Sequence, residues 1–158
     1  MEDRKHRKES EEIIRGLNRI PKNQLDKSFH DAHTAVFKKT DCLTCANCCK
    51  TTSPIFTITD IQRLAKLFKQ KNNEFIDQYL KLDEEEDYVL RSAPCPFLLE
   101  DNKCFVYEER PMACREYPHT NRKNMQQILG LTVINAEICP AVEQIVNQIL
   151  LKNKQIDL

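Results

Sequence analysis

The chain has 158 residues, enough to bury a core of its own, and its 24 basic and 24 acidic side chains cancel. Zero net charge argues against the nonspecific grip on nucleic acid or on an anionic membrane that a basic excess or patch would supply. With only two glycines, Gly16 and Gly130, a Gly-rich phosphate loop or an all-β fold full of tight turns is disfavoured.

Met1 to Glu12 is charged throughout and has no apolar h-region, which predicts no secretory leader. Ile128 to Ala136 is apolar but far too short to span a bilayer, so the expectation is a soluble, cytoplasmic protein with no membrane partner. Ile13, Ile14, Leu17 and Ile20 recur at helical spacing until Pro21 interrupts, and Leu25, Phe29, Ala32 and Val36 make a second stripe. His30 and His33 lie beside that stripe and read as surface or core-edge histidines. These elements form a helical arm over 1–40. Residues 41–158 are expected to be a cysteine-cluster domain that includes the C-terminal helix, the whole making one compact unit.

Ile55 to Thr57 reads as a short extended piece. Thr59 with Gln62 then suggests a capping box for a helix with Ile61, Leu64, Ala65 and Phe68 on one face. A shorter helix is expected from about Asn73, its apolar face Phe75, Ile76, Tyr79 and Leu80. Leu82 to Asp87 is acidic and reads as a solvated turn rather than a cation site. Tyr88 to Arg91 and Phe97 to Leu99 suggest strands, with a turn at Glu100 to Lys103 and a return over Cys104 to Tyr107. Pro140 suits the first position of a last helix striped by Val142, Ile145, Val146, Ile149 and Leu150. The predicted fold is mainly α with a small β element, an irregular cysteine-rich metal-binding core packed by amphipathic helices.

Eight cysteines dominate the chemistry: Cys42, Cys45, Cys48 and Cys49 in the run C-L-T-C-A-N-C-C, then Cys95, Cys104, Cys114 and Cys139. In a reducing compartment an even count points to metal ligation rather than a disulfide framework, and clustered soft thiolates select zinc, copper(I) or iron–sulfur centres. Two intervening residues let both sulfurs of Cys42-x-x-Cys45, and again of Cys45-x-x-Cys48, reach one ion. Cys49 follows Cys48 directly, which excludes a standard bacterial ferredoxin run. On a helix, steps of 100° gather Cys42, Cys45 and Cys49 into one sector with Cys48 further round; in a strand, neighbours point to opposite faces. In either case Cys48 and Cys49 would not serve one small ion in the same manner.

Cys95-Pro96 and Cys139-Pro140 each place a proline after a candidate ligand, which fixes the chain and removes an N–H. In a regular hairpin Cys104 would face Leu99, leaving Cys95 about 13 Å along the strand. Either the hairpin is irregular or the two cysteines serve different centres. Pro111 is expected to open a helical turn with Cys114 in it, where a helix start and a neighbouring cation favour thiolate. Arg110 and Arg115 are candidates to offset the charge of a thiolate site, with Tyr117 beside them, and His119 is a candidate mixed ligand.

The three blocks C42-x2-C45-x2-C48-C49, C95-P-F-L with C104-F-V-Y-E-E-R-P-M-A-C114-R-E-Y-P, and C139-P resemble the CxxCxxCC cysteine-cluster family, the putative zinc- or iron-chelating domain of YkgJ type. The resemblance covers Cys42 to Cys139 and implies metal chelation by the eight cysteines, holding an iron–sulfur cluster or Zn2+. The pattern is also similar to that of flagellin lysine methylases, which implies a metal-dependent redox or protein-methylating enzyme as one alternative. A zinc-stabilised protein-interaction module, with a protein partner, is another. The triple C-x-x-C and the Cys-Pro pairs tilt the reading toward iron–sulfur.

Overall fold

The computed structural model describes residues 2–154; Met1, where the expected leader-free start and helical arm begin, and residues 155–158, the end of the expected second segment, lie outside them. The chain forms two compact units, one of residues 1–41 with 118–158 and one of residues 42–117.

The first unit is helical. Its α1 spans Glu2–Asn18 and α2 spans Lys22–Phe37; Pro21, which has no N–H to leave unpaired, stands at the entry to α2. The stripe Leu25, Phe29, Ala32 and Val36 is buried in full, and Leu17 and Ile20 join it in the core. The later helices of this unit return at Leu129–Ile138 and Pro140–Lys154, and Val142, Ile145, Val146 and Ile149 complete that core. The first of these two does not stand out in the sequence, because apolar residues on nearly every side hide the 3.6-residue period. The return segment is pinned to α2 through polar groups. The Asp26 carboxylate accepts the amides of Asn124 and Met125, both at 2.8 Å. His33 Nδ1 lies 2.8 Å from the fully buried Thr120 hydroxyl, with the Phe37 ring 4.5 Å from the imidazole. His30 Nδ1 meets Asn121 at 2.5 Å.

The second unit begins with two one-turn helices, α3 (Cys42–Cys45) and α4 (Asn47–Thr51). An α-hairpin follows, α5 (Ile58–Leu67) and α6 (Asn72–Tyr79). Its capping box is Thr57 with Asp60, not Thr59 with Gln62: an Asp at the third helical position returns to the cap as a Glu or Gln would. Leu80 leaves the helix to start β1 (Leu80–Leu82), which pairs antiparallel with β2 (Tyr88–Leu90) in the register Leu80 to Leu90. Phe56 adds an isolated bridge to Tyr88, so the extended piece at Ile55 to Thr57 is one bridge long. In the acidic turn between the strands the Asp83 carboxylate accepts the amides of Glu85 and Asp87. The expected strands Phe97 to Leu99 and Cys104 to Tyr107 reduce to a single bridge, Leu98 to Cys104, and Tyr107–Glu109 is a 3-10 turn. A further one-turn helix, α7, spans Met112–Glu116. Phe68, Phe75, Tyr79 and Phe97 pack rings at centroid distances of 4.9–6.3 Å over Ile61, Leu64 and Leu80. In chain order α8 is then Leu129–Ile138 and α9 is Pro140–Lys154.

Burial pushes the His33 imidazole below its ordinary 6.5, and the charge of neighbouring His30 adds to that. A group whose folded pKa is depressed contributes stability above the unfolded value and loses it as pH falls. The melting temperature is therefore expected to drop as pH goes from 7.5 to 5.5, and less steeply in His33→Gln. Identical slopes in the two proteins would contradict this.

Candidate metal centre

The run C-L-T-C-A-N-C-C folds neither as one helix nor as a strand. Ala46 takes a left-handed conformation, φ 48°, and breaks the run into α3 and α4, so no single helical phase relates Cys42 and Cys45 to Cys48 and Cys49. Ala46 still closes α3, its amide donating to the Cys42 carbonyl at 2.8 Å, and Lys50 Nζ donates to the Cys45 carbonyl at 3.1 Å. Cys42 and Cys45 are exposed on this first turn. Cys48 and Cys49 are half-buried on the second.

Cys49 ties this turn to the next block: its carbonyl accepts the Cys95 amide at 2.8 Å. Cys95-Pro96-Phe97-Leu98 curls into a turn, the Leu98 amide donating to the Cys95 carbonyl at 3.1 Å. Burial pushes the Cys95 thiol up, and backbone hydrogen bonds from Phe97 and Leu98 work against it by favouring the thiolate. Such inward amides are the backbone arrangement that receives an anion. The hairpin beyond is irregular. Cys104 faces Leu98 rather than Leu99, because Asn102 turns with φ 64° and the Leu99 amide donates to the Lys103 carbonyl. The hairpin is not regular, so the 13 Å that a regular one would impose does not apply, and Cys95 and Cys104 sit within electrostatic reach of each other.

Cys114 comes from α7, with Pro111 at the helix entry. Burial, with Cys95, Cys104 and Cys48 as like-charged neighbours, pushes its thiol up to about 12, while Arg110 pulls the other way. Cys48 is also driven up, first by its hydrogen bond to Cys49 and then by burial; the same bond draws Cys49 down. Cys95, Cys104 and Cys114 are the charges that press on Cys49 from outside the run. Five sulfurs, Cys48, Cys49, Cys95, Cys104 and Cys114, thus come together from α4, the Cys95 turn, the bridge at Cys104 and α7. Among the described residues, three ligand-type atoms come within 4.8 Å of one another at Asp83, Glu85 and Asp87, and no three of these five sulfurs do. Cys139 lies in the helical unit, closing α8, and packs against that unit's core. His119 is in the helical unit as well, with φ 64°.

The arginines divide their work. Arg110 stacks 3.8 Å over the Tyr107 ring and faces Cys114 electrostatically. Arg115 spends its guanidinium on the carbonyls of Arg110 and Glu108, which folds the loop back on itself. Tyr117 ends α7, its amide donating to Ala113. Asp60 and Arg63 have a role that the sequence motifs do not single out. The Asp60 carboxylate, 2% exposed, reaches across to the Met112 amide at 3.2 Å, and Arg63 reaches the carbonyls of Glu109 and Arg110. Burial alone would raise the Asp60 carboxyl; hydrogen bonds from Thr57, Arg63 and Met112 outweigh it and hold the group below its usual range. The pattern Thr57-x-x-Asp60-x-x-Arg63 was the available signal. Two clefts, of about 490 and 590 Å3, are lined by residues of the helical unit, and neither takes a residue from 42–117.

Residues 41–140 match the family model CxxCxxCC, described as a putative zinc- or iron-chelating domain. No curated protein and no solved structure matches the chain.

Thiol reactivity follows thiolate fraction and access. In metal-free, reduced protein, alkylation followed by peptide mass spectrometry is expected to label Cys42 and Cys45 before Cys48, Cys95 and Cys114. Labelling of all five at one rate would show that the half-buried group does not exist in solution.

Proposed function

From the premise that the chain belongs to the CxxCxxCC family of zinc- or iron-chelating domains, we propose that Cys48, Cys49, Cys95, Cys104 and Cys114 supply the thiolates of an iron–sulfur centre. The observation that carries this reading is the convergence of five half-buried sulfurs from four stretches of chain. The donor set fits such a group: it is all sulfur, and soft ligands suit iron–sulfur centres and zinc. Spacing favours the cluster. Zn–S bonds near 2.3 Å in a tetrahedron hold sulfurs about 3.8 Å apart, closer than any three of these five sulfurs stand. A cluster spreads its thiolates because each binds a different iron. When bound, the group would supply one-electron redox chemistry or a covalent staple.

The chain's own residues serve that site in stated ways. The Phe97 and Leu98 amides donate toward Cys95, and Arg110 offsets negative charge at Cys114. Buried Phe97 and Val106 limit water. The proposal assigns no role to Cys42, Cys45 and Cys139, which the family resemblance also implies as ligands, and a reducing, cytoplasmic setting is part of it because that keeps the thiols reduced.

Protein purified without oxygen is expected to carry iron and acid-labile sulfide in similar amounts and a visible charge-transfer band. Structural metal contributes roughly 10–16 kcal/mol of apparent binding energy, so Cys114→Ser is expected to lose most of the metal and to melt well below the native protein. Colourless protein with stoichiometric zinc would overturn the iron–sulfur assignment. Native metal content in Cys114→Ser would remove Cys114 from the ligand set.

A further inference from the structure

We propose that Asp60 and Arg63 form a clamp that positions Cys114, a role that rests on the thiolate centre proposed above only for its effect on metal. A capping box at the start of α5 needs one carboxylate oxygen, and Asp60 Oδ2 fills it, accepting the Thr57 amide at 3.0 Å and hydroxyl at 2.7 Å. The other oxygen does something α5 does not require. Oδ1 accepts Arg63 Nη2 at 2.7 Å and the Met112 amide at 3.2 Å, 52 residues along the chain.

Arg63 grips the same segment from its carbonyl side. Its Nη2 donates to the carbonyls of Glu109 at 3.3 Å and Arg110 at 3.0 Å, and its Nε meets the Glu109 carboxylate at 3.1 Å. Pro111 has no amide, so Met112 offers the first N–H after Arg110. An acceptor and a donor fixed on one helix therefore hold the backbone on both sides of Pro111. α7 has five residues, too few to hold a helix unaided, and Cys114 is its third. Its direction needs support from outside, and the Asp60–Arg63 pair reaches it from α5. An ion pair with one buried and one part-exposed partner is weak ground for stability and better ground for fixing geometry.

The test uses the full chain, with and without its metal. Asp60→Asn keeps the shape but reduces the acceptors; Thr57→Ala disturbs the same cap and leaves the Met112 and Arg63 contacts in place; Arg63→Lys keeps the charge but not the fork. In metal-free protein of native far-UV circular dichroism, Cys114 alkylation relative to Cys104 is expected to rise several-fold in Asp60→Asn and Arg63→Lys and to stay native in Thr57→Ala. In oxygen-protected protein, metal affinity is expected to fall about 10-fold in the first two, the usual size for a group that orients a ligand. The clamp is overturned if Cys114 stays as protected as in the native chain, or if Thr57→Ala exposes it equally. If Asp60→Asn does not fold, Arg63→Lys decides the matter alone. Native protein that binds no metal would defeat the proposed centre, while the alkylation result would still judge the clamp.

Discussion

Like-charged sulfurs cannot share a small, partly dry space unless something neutralises them. Cys48, Cys49, Cys95, Cys104 and Cys114 meet under that constraint, and the directions of their pKa shifts register it: Cys48, Cys95 and Cys114 hold their protons harder, and Cys49 escapes only by taking a hydrogen bond from Cys48. Without a cation, Cys48, Cys95 and Cys114 favour the protonated thiol. A metal centre replaces those protons and turns mutual repulsion into shared ligation, so binding is coupled to proton release. The Arg110 guanidinium, the amides at Cys95 and the backbone hydrogen bonds at Cys48 are among what the polypeptide itself offers toward the negative charge.

The fold of residues 42–117 is arranged to bring short, weak elements to that point. α3, α4 and α7 have four or five residues each and cannot persist alone. What steadies them is the α5–α6 hairpin and its aromatic core, which supply a rigid base for the loops. The Cys49 carbonyl holds the Cys95 turn, Arg115 folds the 108–110 carbonyls inward, and the Asp60–Arg63 pair reaches α7. The helical unit has its own core and its own polar fastenings, at Asp26, His30 and His33. It contains Cys139 but is otherwise built like an ordinary helical bundle, with Leu25, Phe29, Val142 and Ile145 inside.

Periodic helices were legible in the sequence; singular backbone events were not. The stripe from Leu25 to Val36 and the Pro140 helix start appear as read, because burial of one helix face leaves a repeating mark. The Ala46 turn leaves none, since the residue is neither Gly nor Asn, and it is what separates Cys42 and Cys45 from Cys48 and Cys49. The shift of Cys104 from Leu99 to Leu98 depends on a positive φ at Asn102, again invisible to a count of residues. Asp60 was hidden for another reason. Its local pattern explains only the cap, and its bond to Met112 spans a distance in sequence that no short-range rule covers. The cysteine motif and the family to which it belongs were plain from spacing; which sulfurs meet depended on these tertiary details.

X-ray absorption at the metal edge of oxygen-protected protein addresses the thiolate centre most directly. The account predicts a first shell of sulfur alone near 2.3 Å, with a second, metal–metal distance that marks a cluster. A first shell of oxygen, as carboxylates at Asp83, Glu85 and Asp87 would give, would contradict it.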